Sequence, residues 1–506
     1  MVAQEKHTPV EQAAGQAVRR SQDYFRRTQY PEGYWWGELE SNTTMEAEYL
    51  MLCHFTGRHD PERWRKVCNH MLSKQRTDGS WGQYYEAPGD VSTSVECYFA
   101  LKLAGHAPES DPLRKAREFI LSKGGIPKVR IFTKIWLALF GQWDWKGTPN
   151  MPPEMIFLPS WAPFNIYEFA SWARATVVPM LIILTRQPYC PVPESANIDE
   201  LFPGGREGTD YTLPKPTGGF GWAKGLYWTD KLVGLHHRLP VHPLRGRAER
   251  KVIQWVLQHQ EADGSWAGIQ PPWVYSLIAL HTMGYGPEHE AVKKGFQGFE
   301  TFALEDEDNC SVQACISPVW DTCIAQLALL ESGIAPDDSM VQSSARWLMD
   351  KQIFAGGDWQ VRAKNVRPGG WSFEFANRFY PDIDDASIVV MALDQVRLPE
   401  AEESRRVDSI QRGVEWMAGM QSKNGGWAAF DKDNNRKYMS QLPFADFGEA
   451  LDPASVDVTA HILEMLGKLG YPRDFAPLKR GYKYIRRHQE EDGSWFGRWG
   501  VHPRTG

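Results

Sequence analysis

Apolar residues recur at helical spacing along most of the chain, and strand-like alternation is scarce. Val252, Trp255 and Val256 lie three and four positions apart, and Val414 and Met417 repeat that spacing further along. Residues three or four apart share one face of a helix, so each stretch predicts an amphipathic helix. Because such stretches alternate with short turns, the pattern predicts an all-α protein of repeated helical hairpins, arranged as an open solenoid or closed into an α/α barrel.

One short motif follows these predicted helices and divides the chain into repeats. It places Gln about six residues before Trp, with Gly two residues before the Trp. The six copies span residues 29–35, 75–81, 260–266, 352–359, 421–427 and 489–495, and the fourth is longer by one residue. We expect the Gln to end a helix and the Gly to provide a left-handed turn position. We also expect the Gln amide to lie against the indole, tying one helix to the next.

Composition narrows the classes of function. The 506 residues include 22 Trp, whereas 42% hydrophobic and 24% charged residues are ordinary values for a soluble globular chain. A net charge of −7 offers no electrostatic basis for binding nucleic acid. The seven cysteines are an odd number without a CxxC pair, which favours reduced thiols over a disulfide framework.

No segment has the composition of a leader or a membrane span. Residues 1–25 contain no apolar stretch typical of a signal peptide. The longest nearly apolar run, residues 175–184, is much shorter than the roughly 20 residues that a membrane span needs. We therefore predict a chain that does not cross a bilayer, although it can still rest on one.

Three carboxylates crowd the start of one predicted helix. Asp382, Asp384 and Asp385 precede an apolar helical stretch at residues 387–393. One Asp is a common helix cap, whereas three within four residues repel one another. Such crowding raises the pKa of one member, so that one carboxyl group stays protonated near neutral pH and can donate a proton. A Mg²⁺ or Ca²⁺ site is the alternative, but the Gly and Glu of a calcium-binding loop do not follow at the needed spacing.

A second candidate is an Asp–His pair at the start of another apolar helix. Asp457 and His461 are four residues apart and share one helical face. Taken alone, such a pair is more often a cap and a surface contact than a catalytic site.

These motifs together resemble the squalene–hopene cyclases, the bacterial class II triterpene cyclases. The Gln–Gly–Trp repeats are similar to the QW repeats of that family, and Asp382-Ile-Asp-Asp is similar to its Asp-x-Asp-Asp motif. Other segments similar to the family are Glu168-Phe-Ala-Ser-Trp-Ala-Arg-Ala, Gly268-Ile-Gln-Pro-Pro, Ser317-Pro-Val-Trp-Asp, Asp446-Phe-Gly-Glu and Asp457-Val-Thr-Ala-His.

The resemblance implies two α/α-barrel domains, one inserted into the other. Residues 1–35 would form an N-terminal arm of the catalytic barrel, residues 36–304 the inserted barrel, and residues 305–506 the rest of the catalytic barrel. It also implies squalene as the substrate, hopene or hopanol as the product, and neither a cofactor nor a metal.

The resemblance further implies a membrane location. Family members are monotopic membrane proteins, often dimers, so we expect a homodimer on the cytoplasmic face of the bacterial inner membrane. Residues 217–238 combine aromatic residues, leucines and basic residues, as interfacial segments do. An ordinary buried helix is the alternative for this segment.

Individual positions match the functional residues of the family. Asp384 matches the proton donor, Asp382 and Asp385 its flanking carboxylates, His461 the histidine that hydrogen-bonds the donor, and Asp457 an acidic residue nearby. The residues that match the lining of the cavity are Trp172, Trp320, Phe373, Phe430 and Trp499, and Gln270 matches a residue that orients water near the final cation. The chemistry agrees, because an alkene needs a strong, shielded acid, and aromatic faces stabilise cations by roughly 0.5–2 kcal/mol without attacking them.

Three features depart from the family pattern. Ala386-Ser387 stands where the family usually has Thr-Ala, Phe430 stands where some members have Tyr, and the chain ends at Gly506 after an atypical His502-Pro-Arg-Thr. From the last feature we expect a truncated, incomplete catalytic barrel that is inactive or cyclises incompletely.

Two other classes remain open on the residues alone. A glycan hydrolase or lyase on an α/α barrel also pairs carboxylates with Trp platforms, although its carboxylates flank a cleft rather than cluster in one tetrapeptide. A non-catalytic α-solenoid scaffold would have no need of Asp384.

Overall fold

The predicted repeats form seventeen α-helices, and the only sheets among the described residues are two short hairpins. The computed structural model describes residues 8–213, 215, 221–237, 241–442 and 450–499. The segment at Asp446, residues 217–220 and 238 of the predicted membrane segment, and residues 500–506 lie outside these ranges. The predicted all-α class is confirmed.

The α-helices are α1 (Pro9–Thr28), α2 (Thr44–Phe55), α3 (Pro61–Ser73), α4 (Val91–Leu103), α5 (Asp111–Ser122), α6 (Ile131–Leu139), α7 (Ser171–Arg186), α8 (Trp222–His237), α9 (Arg245–Gln258), α10 (Gln270–Thr282), α11 (Glu290–Phe302), α12 (Pro318–Glu331), α13 (Ser339–Asp350), α14 (Ile383–Asp394), α15 (Glu400–Met420), α16 (Val456–Lys468) and α17 (Ala476–Arg487). Short 3₁₀ helices span Ile126–Lys128, Trp145–Gly147, Pro153–Phe157, Ile166–Glu168, Glu194–Ala196, Asp199–Leu201, Asp358–Val361 and Lys437–Gln441. The strands pair antiparallel, β1 (Trp81–Gly82) with β2 (Gly89–Asp90) and β3 (Ala303–Glu305) with β4 (Cys310–Val312).

The chain divides into two compact units. Unit 1 comprises Met1–Gly37, Ile316–Asp433 and Pro453–Gly506, and unit 2 comprises Glu38–Cys315 and Asn434–Asp452. The domain boundaries expected from the sequence, 35/36 and 304/305, lie two and eleven residues before the divisions at 37/38 and 315/316. The segment Asn434–Asp452, which the sequence assigned to the catalytic barrel, belongs instead to unit 2.

Hydrogen bonds explain why this late segment belongs to unit 2. Asp452 N donates to Asn434 Oδ1 at 3.1 Å, which joins the two ends of the segment. Asn434 Nδ2 donates to Glu168 O at 3.3 Å, and Ala170 N donates to Ala450 O at 2.9 Å. Sequence periodicity carries no information on such long-range bonds, so it could not place this segment.

Unit 2 is a double layer of helices. Helices α2, α4, α7 and α10 bury nearly every residue, whereas α3, α5, α9 and α11 bury only one face. Helix α10 packs against α7 and α2, and α2 packs against α4. Because a helix buried on all sides must be enclosed by others, the first group forms the inner layer of an α/α barrel and the second group its outer layer.

Unit 1 repeats this arrangement. Helix α14 is almost wholly buried and packs between α12 and α16. Each of these three inner helices packs against the helix that follows it, α13, α15 or α17, whose buried residues lie on one side. The Asp-x-Asp-Asp motif therefore opens the most enclosed helix of this unit.

The Gln and the Trp of each repeat both bind backbone carbonyl groups. Gln421 Nε2 donates to Gly425 O at 2.7 Å and to Pro477 O at 2.9 Å, in the first turn of α17. Trp427 Nε1 donates to Met417 O at 2.7 Å, in the last turn of α15. The same bonds recur for Gln29, Gln75 and Gln260 and for Trp35, Trp81 and Trp266. The repeats thus join neighbouring helices through backbone carbonyls, as the expected tie between helices requires.

The glycine of the repeat has a steric role besides its turn conformation. Gly264 has φ +95°, and a Cβ atom there would lie 2.1 Å from Lys294 O on α11. The expected left-handed position is therefore present, and the neighbouring outer helix approaches so closely that only glycine fits.

The fourth repeat was misassigned from the sequence. Gln352 Nε2 donates to Gly369 O at 2.8 Å and to Ser409 O at 2.9 Å, and Trp371 Nε1 donates to Leu348 O at 2.6 Å. Trp359 lies in the 3₁₀ helix Asp358–Val361 instead. The partner of Gln352 is thus Trp371, beyond an insertion that a fixed spacing of six could not accommodate.

Two glutamines of this motif provide a matched test of its stability role. Gln421 is buried and bonds two carbonyls, whereas Gln489 is exposed and, among the described residues, bonds only Gly493 O. We expect Gln421→Ala to lower the free energy of unfolding by about 1–3 kcal/mol, because it leaves buried carbonyl groups unpaired. Gln489→Ala should change it by less than about 0.5 kcal/mol. Urea unfolding followed by circular dichroism measures both, and equal losses would contradict this role.

Candidate active site

The first carboxylate of the cluster caps its helix. Asp382 is the N-cap residue of α14, and its Oδ1 accepts hydrogen bonds from Asp384 N at 2.7 Å and Asp385 N at 3.2 Å. The ordinary cap considered from the sequence is therefore present, but it uses only Asp382. The cap leaves the other two side chains in the first turn of the helix, on different sides of it.

Asp384 is paired with the predicted histidine. Asp384 Oδ1 lies 2.7 Å from His461 Nδ1, across 77 positions of sequence. The hydrogen bond to Asp384 raises the pKa of His461 above its ordinary value, outweighing the effect of burial. A protonated His461 therefore persists towards neutral pH and donates to one oxygen of Asp384.

Burial and crowding together raise the pKa of Asp385. Asp385 is 1% exposed, and neither of its carboxyl oxygens has a hydrogen-bond partner among the described residues. Burial raises the pKa of Asp385 well above its usual range, and the charges of Asp382 and Asp384 add to this effect. Asp385 is thus held neutral beside the Asp384–His461 pair, and the expected protonated member of the cluster is present at this position.

The hydroxyl group that departs from the family pattern binds the backbone. Ser387 Oγ donates to Asp384 O at 2.7 Å, within the first turn of α14. It therefore stabilises the turn that presents the carboxyl group.

Asp457 orients a loop rather than bonding to His461. Asp457 Oδ2 accepts from Arg498 N at 2.8 Å and from Trp499 N at 3.1 Å. Although burial acts to raise the pKa of Asp457, hydrogen bonds from Ser455 and these backbone groups hold this pKa below its ordinary value. The ionised carboxylate is therefore a firm anchor for the backbone at Trp499, whose residue surface is half exposed.

The residues predicted to line the cavity, together with Gln270, are divided between the two units. Trp320, Phe373, Phe430 and Trp499 belong to unit 1, whereas Trp172 and Gln270 belong to unit 2. In unit 1, Ile383 N donates to Ala429 O at 2.7 Å, which holds the backbone before Phe430 beside the start of α14. Phe373 O accepts from Val319 N at 3.3 Å at the start of α12. These bonds place both Phe residues on segments tied to the inner layer.

Unit 2 contains a cavity that Trp172 lines. Its volume is about 750 Å³, and Phe132, Ile269 and Tyr275 are among its other lining residues. Gln270 is fully buried beside Ile269, and its Oε1 has no hydrogen-bond partner among the described residues. The cavity thus combines apolar walls with a few polar groups, as small-molecule sites usually do.

Sequence reasoning missed a buried acidic cluster at this cavity. Glu48 and Arg130 line it, and Glu96 accepts hydrogen bonds from Arg130 Nη2 at 3.4 Å and from Thr133 Oγ1. Burial raises the pKa of both glutamates, and the charge of Glu96 raises that of Glu48 further. A signal was present, because Glu48 and Glu96, like Glu46, are carboxylates inside helices that are buried on nearly every side.

Within the described ranges, no group of three or more His, Cys, Asp or Glu side chains is arranged to hold a metal ion.

Two models of known protein domains match almost the whole chain. The profile of the squalene-hopene cyclase N-terminal domain matches residues 18–308, and that of the squalene-hopene cyclase C-terminal domain matches residues 316–503. The chain belongs to the squalene–hopene cyclase family. The predicted family is therefore confirmed, and the two matched domains agree with two helical barrels.

Several known proteins are similar in sequence to this chain over most of its length. A squalene–hopene cyclase of Alicyclobacillus acidocaldarius is 46% identical over 494 residues, covering 97% of this chain and 76% of the relative. A dammaradiene synthase of Dryopteris crassirhizoma is 40% identical, covering 96% of this chain and 72% of the relative. A squalene–hopene cyclase of Zymomonas mobilis is 34% identical, covering 98% and 76%. These relatives do not favour the alternatives of a glycan hydrolase or lyase and of a non-catalytic scaffold.

Proposed function

We propose that this chain converts squalene into a pentacyclic triterpene of the hopene type through a cascade of carbocations. The observation that carries this function is the pair of Asp384 and His461, 2.7 Å apart at the start of the most enclosed helix of unit 1. Membership of the squalene–hopene cyclase family supports the same substrate and reaction.

The first step is transfer of a proton from Asp384 to a terminal alkene. The O–H bond of Asp384 breaks, a C–H bond forms at one alkene carbon, and the other carbon becomes a cation. Protonated His461 stabilises the carboxylate that remains, which strengthens Asp384 as an acid. Asp385 is neutral, so it adds no negative charge beside the donor.

The cation then forms new carbon–carbon bonds with successive alkenes of the same molecule. Each closure moves the positive charge along the chain, so the site must stabilise a cation without supplying a nucleophile. Aromatic faces do this, and we assign the role to Trp172, Trp320, Phe373, Phe430 and Trp499.

Loss of a proton ends the cascade. A C–H bond next to the final cation breaks, its electrons form the alkene of hopene, and the proton passes to a water molecule. We propose that Gln270 orients this water and that the cluster of Glu48, Glu96 and Arg130 accepts the proton. Addition of the water to the cation instead, with loss of one proton, gives hopanol. Asp384 regains a proton from solvent, so hopene formation is a net isomerisation.

Incubation of the purified chain with squalene tests the proposed function. Gas chromatography with mass spectrometry of the lipid extract should show a pentacyclic isomer of squalene. Extracts that contain only unchanged squalene or incompletely cyclised products, at every detergent and pH tried, would overturn it and would agree instead with the inactivity or incomplete cyclisation expected from the sequence.

We also propose that α8 rests on a membrane surface. Trp222, Trp228, Leu232 and Leu235 are each more than 60% exposed on this helix, whereas Leu226 is buried. Trp228, Leu232 and Leu235 lie four and three positions apart and so share one face, as in an interfacial helix, and Trp222 is the first residue of the helix. Within the part of the chain that the structure describes, no helix is long and apolar enough to span a bilayer.

Liposome binding checks this placement. The double variant Trp222→Ala/Trp228→Ala should pellet with liposomes at least about fivefold less than the unchanged chain, because it removes two large interfacial side chains. Tyr84→Ala/Tyr85→Ala, which removes two exposed aromatic side chains from the loop between β1 and β2, is the matched control. Undiminished pelleting of the α8 variant would argue against α8 as the contact.

The membrane role suggests a compartment, and the family resemblance suggests an assembly state. We propose the cytoplasmic face of a bacterial inner membrane, where squalene dissolved in the bilayer is accessible to α8. We also propose a homodimer, as the family resemblance implies. Analytical ultracentrifugation in detergent distinguishes a dimer from a monomer.

A further inference from the structure

Glu46 is a buried carboxyl group that the proposed reaction does not use. It lies in the first turn of α2 and is 2% exposed. Its Oε1 accepts a hydrogen bond from Val312 N in β4 at 2.8 Å, while its Oε2 has no hydrogen-bond partner among the described residues. A buried carboxyl group with an unpaired oxygen is costly to maintain, which points to a structural role for its bond to β4.

The two elements that Glu46 joins also hold Gln270. Gln270 N donates to Ala314 O at 2.8 Å, two residues after Val312. Gln270 Nε2 donates to Met45 O at 2.8 Å, on the residue before Glu46. The bond between Glu46 and Val312 therefore closes a small ring of contacts around Gln270. If that bond weakens, both supports of the Gln270 amide can separate.

The side chain of His70 connects Glu46 to solvent. His70 Nε2 lies 3.9 Å from Glu46 Oε1, and the His70 side chain is 19% exposed. Burial raises the pKa of Glu46 to about 7, and the bond from Val312 and the charge of Lys74 offset this only in part. Burial also lowers the pKa of His70. Near neutral pH the carboxyl group therefore changes its protonation state beside a neutral imidazole.

Other titratable groups face this pair from each element packed around it. They are Lys74 on α3, Cys97 on α4, Cys310 on β4, and Glu40 and Asp306 beside His70. Burial raises the pKa of the thiols, to about 11 for Cys310, so both are neutral at physiological pH. Lys74 Nζ is 2.5 Å from Glu40 Oε1, so its charge is paired. Glu46 is thus the group of this set that titrates near neutral pH.

We propose that Glu46 is a positioning residue for Gln270 and that its protonation state determines how firmly Gln270 is held during the closing step. This role depends on the proposed function, because Gln270 has a task only if a cation is quenched beside it. An ionised Glu46 makes a charge-assisted hydrogen bond to Val312 N, which is stronger than the bond from the neutral form. Gln270 is therefore held more firmly above neutral pH, and the water that it orients favours proton removal over addition.

The product ratio gives the first test. In the unchanged chain the ratio of alkene to alcohol should rise at least about threefold between about pH 6 and about pH 8, with a midpoint near the pKa of Glu46, about 7. Glu46→Gln cannot ionise but can still accept from Val312 N, so its ratio should stay at the low-pH value throughout. Glu62→Gln, which alters an exposed carboxylate on α3 that pairs with Arg65, should follow the unchanged chain. A pH-dependent ratio in Glu46→Gln, or a pH-independent ratio in the unchanged chain, would overturn the inference.

Hydrogen exchange provides a second test that needs no catalysis. Peptides that contain Gln270 or residues 310–314 should exchange faster in Glu46→Gln than in the unchanged chain at about pH 8, and equally at about pH 6, while peptides from unit 1 stay unchanged. If this difference is found but squalene is not converted, the positioning role stands and the proposed function fails. If squalene is cyclised and the exchange rates of the two proteins do not differ, the inference fails and the function stands.

Discussion

Asp384→Asn should abolish conversion of squalene while leaving the protein folded. An amide cannot donate the proton that starts the cascade, and removal of a general acid typically costs about 10²–10⁴-fold in rate. We expect a loss of at least about 10³-fold, because an alkene is a very weak base and the amide has no proton acidic enough to transfer to it. The rate of product formation measured by gas chromatography checks this, with circular dichroism to confirm that the helices persist.

Asp394→Asn is the matched control. Asp394 lies at the other end of the same helix, is exposed, and its side chain makes no contact with the Asp384–His461 pair in the bonds described. Its activity should stay within about twofold of the unchanged chain. Product formation by Asp384→Asn at a similar rate would show that another group starts the reaction.

Trp427→Ala should lower the free energy of unfolding by about 3–5 kcal/mol. Trp427 is fully buried, and its Nε1 donates to Met417 O at 2.7 Å. Its ring also packs so closely on Gly481 that a Cβ atom there would lie 2.8 Å from Trp427 Cζ3. The substitution therefore opens a cavity between α15 and α17 and leaves a buried carbonyl unpaired. Urea unfolding measures the loss.

Two further substitutions separate the causes of that loss. Trp427→Phe keeps most of the apolar volume but removes the indole N–H, so it should cost less than Trp427→Ala and at least about 1 kcal/mol. Trp228→Ala removes an indole whose residue is 62% exposed, and it should change stability by less than about 0.5 kcal/mol. Equal losses in Trp427→Ala and Trp228→Ala would contradict the structural role of the repeats.

Features that depend on residues close together in the sequence were predictable. Helical spacing located the helices, and the Gly turn with its Gln and Trp was recognised because its spacing is nearly constant. The pairing of Asp384 with His461 came from the resemblance to a family, since 77 positions separate the two residues and no local pattern joins them.

Features that depend on packing were not predictable. The partner of Gln352 is Trp371, because an insertion loops out while the backbone bonds are kept. Burial singles out Asp385 rather than Asp384, since one step along a helix turns a side chain by about 100° from its neighbour. Glu48 and Glu96 meet Arg130 only because three separate segments converge in unit 2.

The most direct test of the proposed function is the reaction of squalene in D₂O, followed by mass spectrometry of the product. The exchangeable proton of Asp384 is then a deuteron, and the step that ends the cascade removes a hydrogen of the substrate. We predict a pentacyclic product that carries one deuterium, formed by the unchanged chain and absent with Asp384→Asn. A pentacyclic product without deuterium, or the same labelled product from Asp384→Asn, would contradict initiation by proton transfer from Asp384.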